Sequence, residues 1–214
     1  MRIVLAEENR MVREGLRSLL NQQPGIEVIG EAEDGHHAVR LTLELAPDVI
    51  IMEVDMPNLN GIEAARQISA AKSSAKIIAL TMQGDRHVVA EMLKVGAAGY
   101  LLKDSAFEDL ITAVYAVTAN QSYLSPHIAT VVIEHYVRHP NHQTTVFDTL
   151  STREREVLQQ VSEGHTTKQI AHRLNLSSKT VDFHRHQVMK KLGLHSVAEL
   201  TKYAVREGIT TLRG

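Results

Sequence analysis

Five short apolar runs constrain the first 120 residues of this chain more tightly than anything else in it: Ile3–Ala6, Val28–Ile29, Val49–Met52, Ile77–Leu80 and Tyr100–Leu102. Each is too short for a helix, and each is rich in Val, Ile and Leu without an alternating polar face. Such a run reads as a strand buried on both sides, which is the habit of parallel sheets. Helical patterns fill the intervals, roughly Met11–Gln22, His36–Leu45, Gly61–Ala70, Arg86–Val95 and Ala106–Ala119. Parallel strands need long crossover connections, and these helices supply them.

The resulting order, (βα)5, predicts an α/β doubly wound sheet of the flavodoxin-like type with strand order 2-1-3-4-5. In such a sheet every strand delivers its C-terminal residue to one edge. Glu7 and Glu8 follow the first strand, Glu53 the third, Thr81 the fourth and Lys103 the fifth. Three carboxylates around a hydroxyl and an ammonium are not a core, because like charges this close repel unless a cation or the lysine compensates them. Solvated loop acids would account for Glu7 and Glu8 alone, but not for the coincidence of four strand ends.

A second stretch, Thr166–Leu192, has a different period. Thr166 with Gln169 forms a capping box, and Ile170, Ala171 and Leu174 follow at helical spacing. Asn175 suits a left-handed C-cap, and Ser177 or Ser178 can cap the next helix. That helix carries Val181, His184, Val188 and Leu192 on one stripe, with Asp182, Phe183, Arg185, His186, Gln187 and Lys190 outward. Two short helices joined by a three-residue turn, the second basic outside, read as a helix-turn-helix. Further capping boxes at Ser151–Glu154 and Ser196–Glu199 open flanking helices that stop at Gly164 and Gly208. An ordinary helical hairpin with solvated charges is the bland alternative.

Charge separates the two regions. Residues 1–150 hold 12 Lys and Arg against 19 Asp and Glu, a net of −7, whereas residues 151–214 hold 11 against 6, a net of +5. A basic C-terminal domain suits a polyanion, and the acidic domain is expected to shield it at rest. With no cysteine, disulfides, zinc–thiolate sites and thiol nucleophiles are excluded. The apolar run before Glu7 is too short for a signal peptide, and no stretch approaches the ~20 apolar residues that span a bilayer, so a cytoplasmic location and no membrane contact are expected.

Glu7-Glu8, PDVIIMEVDMPNLNG, ALTM and GAAGYLLKD resemble the signature positions of a response-regulator receiver domain. LSTREREVLQQVSEG and KQIAHRLNLSSKTVDFHRHQVMKKLGL resemble the LuxR-type DNA-binding domain of the NarL/FixJ family. The resemblance implies a two-component transcription regulator in a phosphorelay, with a receiver at 1–120, a linker with one helix at 121–145 and a small all-α DNA-binding domain at 146–211. It implies Mg²⁺ held by Glu8 directly, by Glu7 through water, by the residue at 53 and by the Asp55 carbonyl. Thr81 and Lys103 would meet a phosphoryl group, and Tyr100 would turn inward as the aromatic switch. By family position Lys179, Thr180, Arg185 and Lys190 would contact phosphates. Asp182, Phe183 and His186 would face base edges, Asp182 accepting from cytosine and Phe183 touching a thymine methyl. His186 is expected to bind more tightly once protonated, below about pH 6.5.

The departure from the pattern is central. The family's phosphoacceptor is an Asp four residues before the loop proline; here Pro57 puts Glu53 there, and neither Asp48 nor Asp55 can be moved into register. Glu53 either mimics the phosphorylated state or marks a receiver switched without phosphate; its own phosphorylation is disfavoured because in-line attack tolerates little displacement. Longer carboxylates at 7, 8 and 53 also crowd the octahedral hole that Mg²⁺ demands, so weak or no binding is expected, with a Lys103–Glu53 ion pair as its replacement. The implied partners are double-stranded promoter DNA, a second copy of the chain and a sensor histidine kinase. Dimer contacts are expected from the last helix, Ser196–Glu207, or from the fourth or fifth receiver helix. Two other classes stand beside this one: an atypical receiver switched by a small molecule or protein, and a flavodoxin-like enzyme. The enzyme reading lacks an Asp, Ser or Cys nucleophile at a strand end, and fold alone implies no chemistry.

Tyr123–Val137 reads as an extended piece, then a helix from near Pro126 whose Ile128, Val131, Val132 and Tyr136 suit either domain. Arg138–Asp148 reads as a polar tether, and His135, His139 and His142 as surface histidines rather than a metal site.

Overall fold

The computed structural model describes residues 1–82, 84–138 and 149–210. The chain divides into two units, Met1–His139 and Pro140–Gly214.

In the first unit the strands are β1 (Arg2–Ala6), β2 (Glu27–Ala32), β3 (Val49–Glu53), β4 (Lys76–Thr81) and β5 (Ala97–Leu102). They alternate with α1 (Arg10–Asn21), α2 (Gly35–Leu45), α3 (Gly61–Ala70), α4 (Arg86–Lys94) and α5 (Phe107–Thr118). All strands pair in parallel in the order 2-1-3-4-5, and a sixth, β6 (Tyr123–Leu124), adds itself to the free edge of β5. The runs look continuously apolar because successive side chains enter two different cores. Val4, Ile50, Met52, Ile77, Ala79 and Tyr100 face one core, whereas Ile3, Leu5, Val49, Ile51, Ile78 and Leu101 face the other. Burying each such aliphatic side chain contributes roughly 1.5–3 kcal/mol, and Ile51→Ala would cost about 2–5 kcal/mol.

Side-chain caps start four of these five helices at fixed points: Asn9, Asp34, Asn60 and Asp85 each accept from a backbone N–H of the first turn. Helix α5 has no such cap, but Glu108 and Asp109 in its first turn complement the helix dipole. These starts fix the loops at the carboxyl edge of the sheet. A Cβ at Gly61 would come within 2.3 Å of the Glu53 carbonyl oxygen, so only glycine lets α3 begin directly against the end of β3.

After β6 comes α6 (Pro126–Arg138). The sequence left this helix open to either domain; Ile128 is in fact fully buried in the receiver core, with Val131 and Val132 packed beside it. It lies against α4, so the α4 face that sequence reading offered for pairing is partly covered from within. The side chains of His135 and Tyr136, and the tether with His139 and His142, fall outside the described residues.

The second unit contains α7 (Thr152–Ser162), α8 (Thr167–Leu174), α9 (Ser178–Leu192) and α10 (Val197–Arg206). All three capping boxes form. Asn175 takes the left-handed conformation at φ 53°, and Ser177 caps α9, giving the three-residue turn. Val157, Leu158, Ile170, Leu174, Val181, Val188 and Leu200 make a core of their own. None of the described helices is long and apolar enough to cross a membrane.

Candidate functional site

At the carboxyl edge of the sheet, Glu7 follows β1, and its backbone N–H donates to Ala32 at 3.0 Å, which extends the ladder by one rung and draws the side chain in. Glu7 is fully buried, Glu53 is 6% exposed and Glu8 is half-buried. Lys103 Nζ stands between the two buried carboxylates, 2.6 Å from Glu7 Oε2 and 2.6 Å from Glu53 Oε1. Its backbone N–H donates to the Thr81 carbonyl at 2.7 Å, so one residue ties the ends of β1, β3 and β4 together.

Two carboxylates and one ammonium leave an unbalanced negative charge in a poorly hydrated place. Burial first, then the neighbouring Glu7 carboxyl, pushes the Glu53 carboxyl up to about 7, against the opposing pull of Lys103. Burial is the largest single influence on Lys103 and acts downward, but Glu53 and Glu7 together outweigh it and hold the ammonium above its ordinary value. Glu53 Oε2 is buried without a hydrogen-bond partner among the described residues. Tyr100 is wholly buried, in the inward position, and burial followed by the charge of Asp85 raises its phenol. Thr81 is buried at the same rim, and Asp55 is half-buried in the loop after β3.

The structure thus gathers Glu7, Glu53, Thr81 and Lys103, but Glu7, Glu8, Glu53 and Asp55 do not assemble as a ligand set. Lys103 fills the space between Glu7 and Glu53, and no three His, Asp or Glu side chains among the described residues are grouped to hold a metal ion. An ion placed between Glu7 and Glu53 would meet the Lys103 ammonium, which is at contact distance from both carboxylates. The sequence anticipated the Lys103–Glu53 pair. It missed Glu7 as the second arm, since nothing in an adjacent Glu-Glu pair says which side chain turns inward.

On α9, Lys179, Asp182, Phe183, His186 and Lys190 are exposed, Phe183 at 58%. Thr180, Arg185 and His184 are half-buried, and His184 Nδ1 is buried without a hydrogen-bond partner among the described residues, on the inward stripe expected from its spacing. Asp182 is engaged: its Oδ1 pairs with Arg185 Nη2 at 3.0 Å and accepts from Thr167 Oγ1 of α8 at 3.3 Å. Thr180 Oγ1 lies 2.8 Å from Ser177 Oγ at the cap. Lys191, which the sequence did not single out, donates to Glu154 at 2.6 Å and to the Thr149 carbonyl at 3.1 Å, fastening α9 to the start of α7. Burial pushes the Glu154 carboxyl up, but Lys191 and the Ser151 backbone N–H more than reverse this and hold it below its usual value. A helix so fastened keeps its outer face in a fixed orientation, as groove reading requires.

The comparisons agree with this geometry. Residues 3–115 match the response regulator receiver domain model, and residues 148–204 match the bacterial regulatory proteins, luxR family, model. Response regulator UvrY of Escherichia coli is 34% identical over 207 residues, covering 97% of this chain and 94% of UvrY. Oxygen regulatory protein NreC of Staphylococcus aureus is 35% identical over 212 residues, covering 97% of this chain and 98% of NreC. Among solved structures, RcsB from Salmonella enterica serovar Typhimurium, bound to promoter rprA in the presence of phosphomimetic BeF3⁻, superposes with a TM-score of 0.59 at 27% identity over 95% of this chain and 97% of that one. With both domain models matched in order and relatives aligned from end to end, this chain belongs to the NarL/FixJ family of response regulators, a receiver joined to a LuxR-type DNA-binding domain.

Proposed function

We propose that this response regulator binds double-stranded promoter DNA as a homodimer through α9, and that its receiver is set by the charge of Glu53 in place of a phosphoryl group. One observation carries the reading of the receiver: Lys103 Nζ already sits 2.6 Å from Glu53 Oε1, the contact that family resemblance would give to a phosphoryl oxygen. Tyr100 in its inward position supports the same reading. The alternative, a receiver switched by a small molecule or protein, explains the absence of an Asp but not why Glu53 meets the lysine.

Lys103 supplies the positive charge between Glu7 and Glu53, so Mg²⁺ binds weakly or not at all. A sensor histidine kinase finds no Asp to serve at position 53. In the output domain Lys179, Thr180, Arg185 and Lys190 meet phosphates, while Phe183 and His186 meet base edges. The linker at 121–145 joins a receiver at 1–120 to a DNA-binding domain at 146–211. The protein works in the cytoplasm, as a regulator and not as an enzyme. The RcsB complex with promoter DNA supports the assignment of the DNA partner.

The test offers acetyl phosphate and Mg²⁺ to the natural chain and to Glu53→Asp, then weighs the intact protein and measures promoter affinity. The natural chain is expected to gain no phosphate and to bind DNA equally well with or without the donor; Glu53→Asp is expected to gain one phosphate. A phosphoryl group on Glu53 itself would overturn the proposal.

A further inference from the structure

Helix α6 is the last part of the receiver unit before the chain passes to the DNA-binding unit. Its first turn rests on the loop between β4 and α4. A Cβ placed at Gly84 would come within 3.2 Å of Ile128 Cδ1 and 3.3 Å of His127 Cδ2, so the loop carries no side chain where the helix lies on it. Ile128 is fully buried there, and Val131 and Val132 pack on the same cluster as Val88, Val89 and Met92 of α4. The other end of the loop hangs from Thr81, whose carbonyl accepts from Lys103, and the Lys103 side chain holds Glu53. Contacts therefore join Glu53 to Lys103 and Lys103 to Thr81, and, three residues further along the chain, Gly84 to Ile128.

The base of α6 is also imperfectly satisfied. The Ser125 N–H donates to the Tyr100 carbonyl at 3.0 Å, yet Tyr100 Oη and Ser125 Oγ are both buried without a hydrogen-bond partner among the described residues. Unsatisfied buried hydroxyls raise the free energy of the docked arrangement, so the alternative in which α6 lifts and water reaches them lies closer than in a fully satisfied core. A two-state element of this kind lets a change at the rim act at a distance.

We propose that α6 is the output lever of the receiver: docking of Ile128 and His127 on the β4–α4 loop at Gly84 reports the state of the Glu53–Lys103 contact, and α6 held or lifted is what the DNA-binding domain receives. The inference rests on the reading of Glu53–Lys103 as the switch, and the experiment separates the two. Amide hydrogen exchange is followed at fixed pH in the full chain, in segments 81–88 and 126–138, for the natural protein, Glu53→Gln, Ile128→Ala and the double variant. Glu53→Gln is expected to speed exchange in both segments, by about threefold or more in α6, and Ile128→Ala to speed α6 by about tenfold while β3 and β5 keep their protection. In the double variant Glu53→Gln adds nothing further to α6. Ile128→Val, which removes a single methyl group from the same contact, is expected to speed exchange in α6 by a smaller factor and serves if Ile128→Ala does not fold. A response to Glu53→Gln in 81–88 without one in 126–138 would overturn the lever, as would an undiminished α6 response in the double variant. No response in either segment would overturn the switch on which it rests.

Discussion

At the receiver rim a lysine is enclosed between two carboxylates; on α9 Lys179 and Lys190 are exposed to solvent with their charge available to a partner. The same contrast holds for the acids. Glu53 and Glu7 are buried against Lys103, whereas Asp182 holds Arg185 in an ion pair whose side chains are 52% and 37% exposed. The difference lies in the solvent, not in the residue types. In a poorly hydrated rim an ion pair is expensive to break and hardly screened, so it stores a state; on the surface water and salt screen it, so it stays exchangeable. A receiver needs the first kind of charge and a DNA-reading helix the second.

Breaking the buried side should give the largest effect. Lys103→Met leaves two carboxylates facing each other without compensation, and about 3–5 kcal/mol of unfolding free energy should be lost in urea titrations. Adding Glu53→Gln to that variant should restore much of the loss, because the remaining buried charge is then single. If Lys103→Met unfolds at the natural midpoint, the rim is better hydrated than its burial implies.

Acid should stabilise the rim relative to neutral pH. Below about pH 4.5 the Glu53 carboxyl is protonated in both states; between 4.5 and about 7 the unfolded chain releases that proton while the folded rim keeps it. The folded state then binds more protons, so this group's contribution to stability is complete below 4.5 and is lost as pH rises through about 7. The slope over that window should flatten in Glu53→Gln, measured by denaturant midpoints at a series of pH values. An unchanged slope would show that other groups carry it.

On the exposed side Lys190→Ala should leave folding unaltered and weaken all DNA sequences alike, reducing the slope of log affinity against log salt by about 0.9. Phe183→Ala should instead relax base preference, costing about 1–3 kcal/mol of discrimination at one position. Equal losses on specific and random DNA for Phe183→Ala would place that ring on the backbone and not on a base.

How much of this was legible in sequence follows the same division. The alternation of strands and helices was readable because burial on both faces leaves an unbroken apolar run, as in Val49–Met52. The helix-turn-helix was readable because its caps are local: Thr166 with Gln169, Asn175 and Ser177 act within four residues of themselves. Long-range pairings left no such trace. Lys191 reaches Glu154 across 37 residues, and Lys103 reaches Glu7 from the opposite end of the domain. Strand β6 was legible only as an extended piece, because Tyr123–Leu124 is two residues long and owes its pairing to the edge of β5. The burial of α6 depends on the same edge, since the pattern Ile128, Val131, Val132 shows an apolar face without naming what it covers.

Asp182 gives the smallest expected effect and tests where the two regimes meet. A carboxylate on a helix that approaches phosphates opposes binding by charge, yet here it orients Arg185 and joins α9 to Thr167 of α8. As an exposed pair it should contribute under about 1 kcal/mol to folding, so Asp182→Ala should barely move the urea midpoint. Its effect on DNA should be opposite in sign for the two kinds of binding. Losing the negative charge should tighten binding to random DNA by a few-fold, whereas freeing Arg185 to several rotamers should weaken the specific complex, since an ordered guanidinium loses less entropy on contact. The ratio of specific to random affinity is thus the quantity to measure, at one salt concentration. A fall in that ratio at unchanged stability would identify Asp182 as a holder of Arg185. A loss confined to sites with cytosine at one position would instead return it to the direct reading of a base edge.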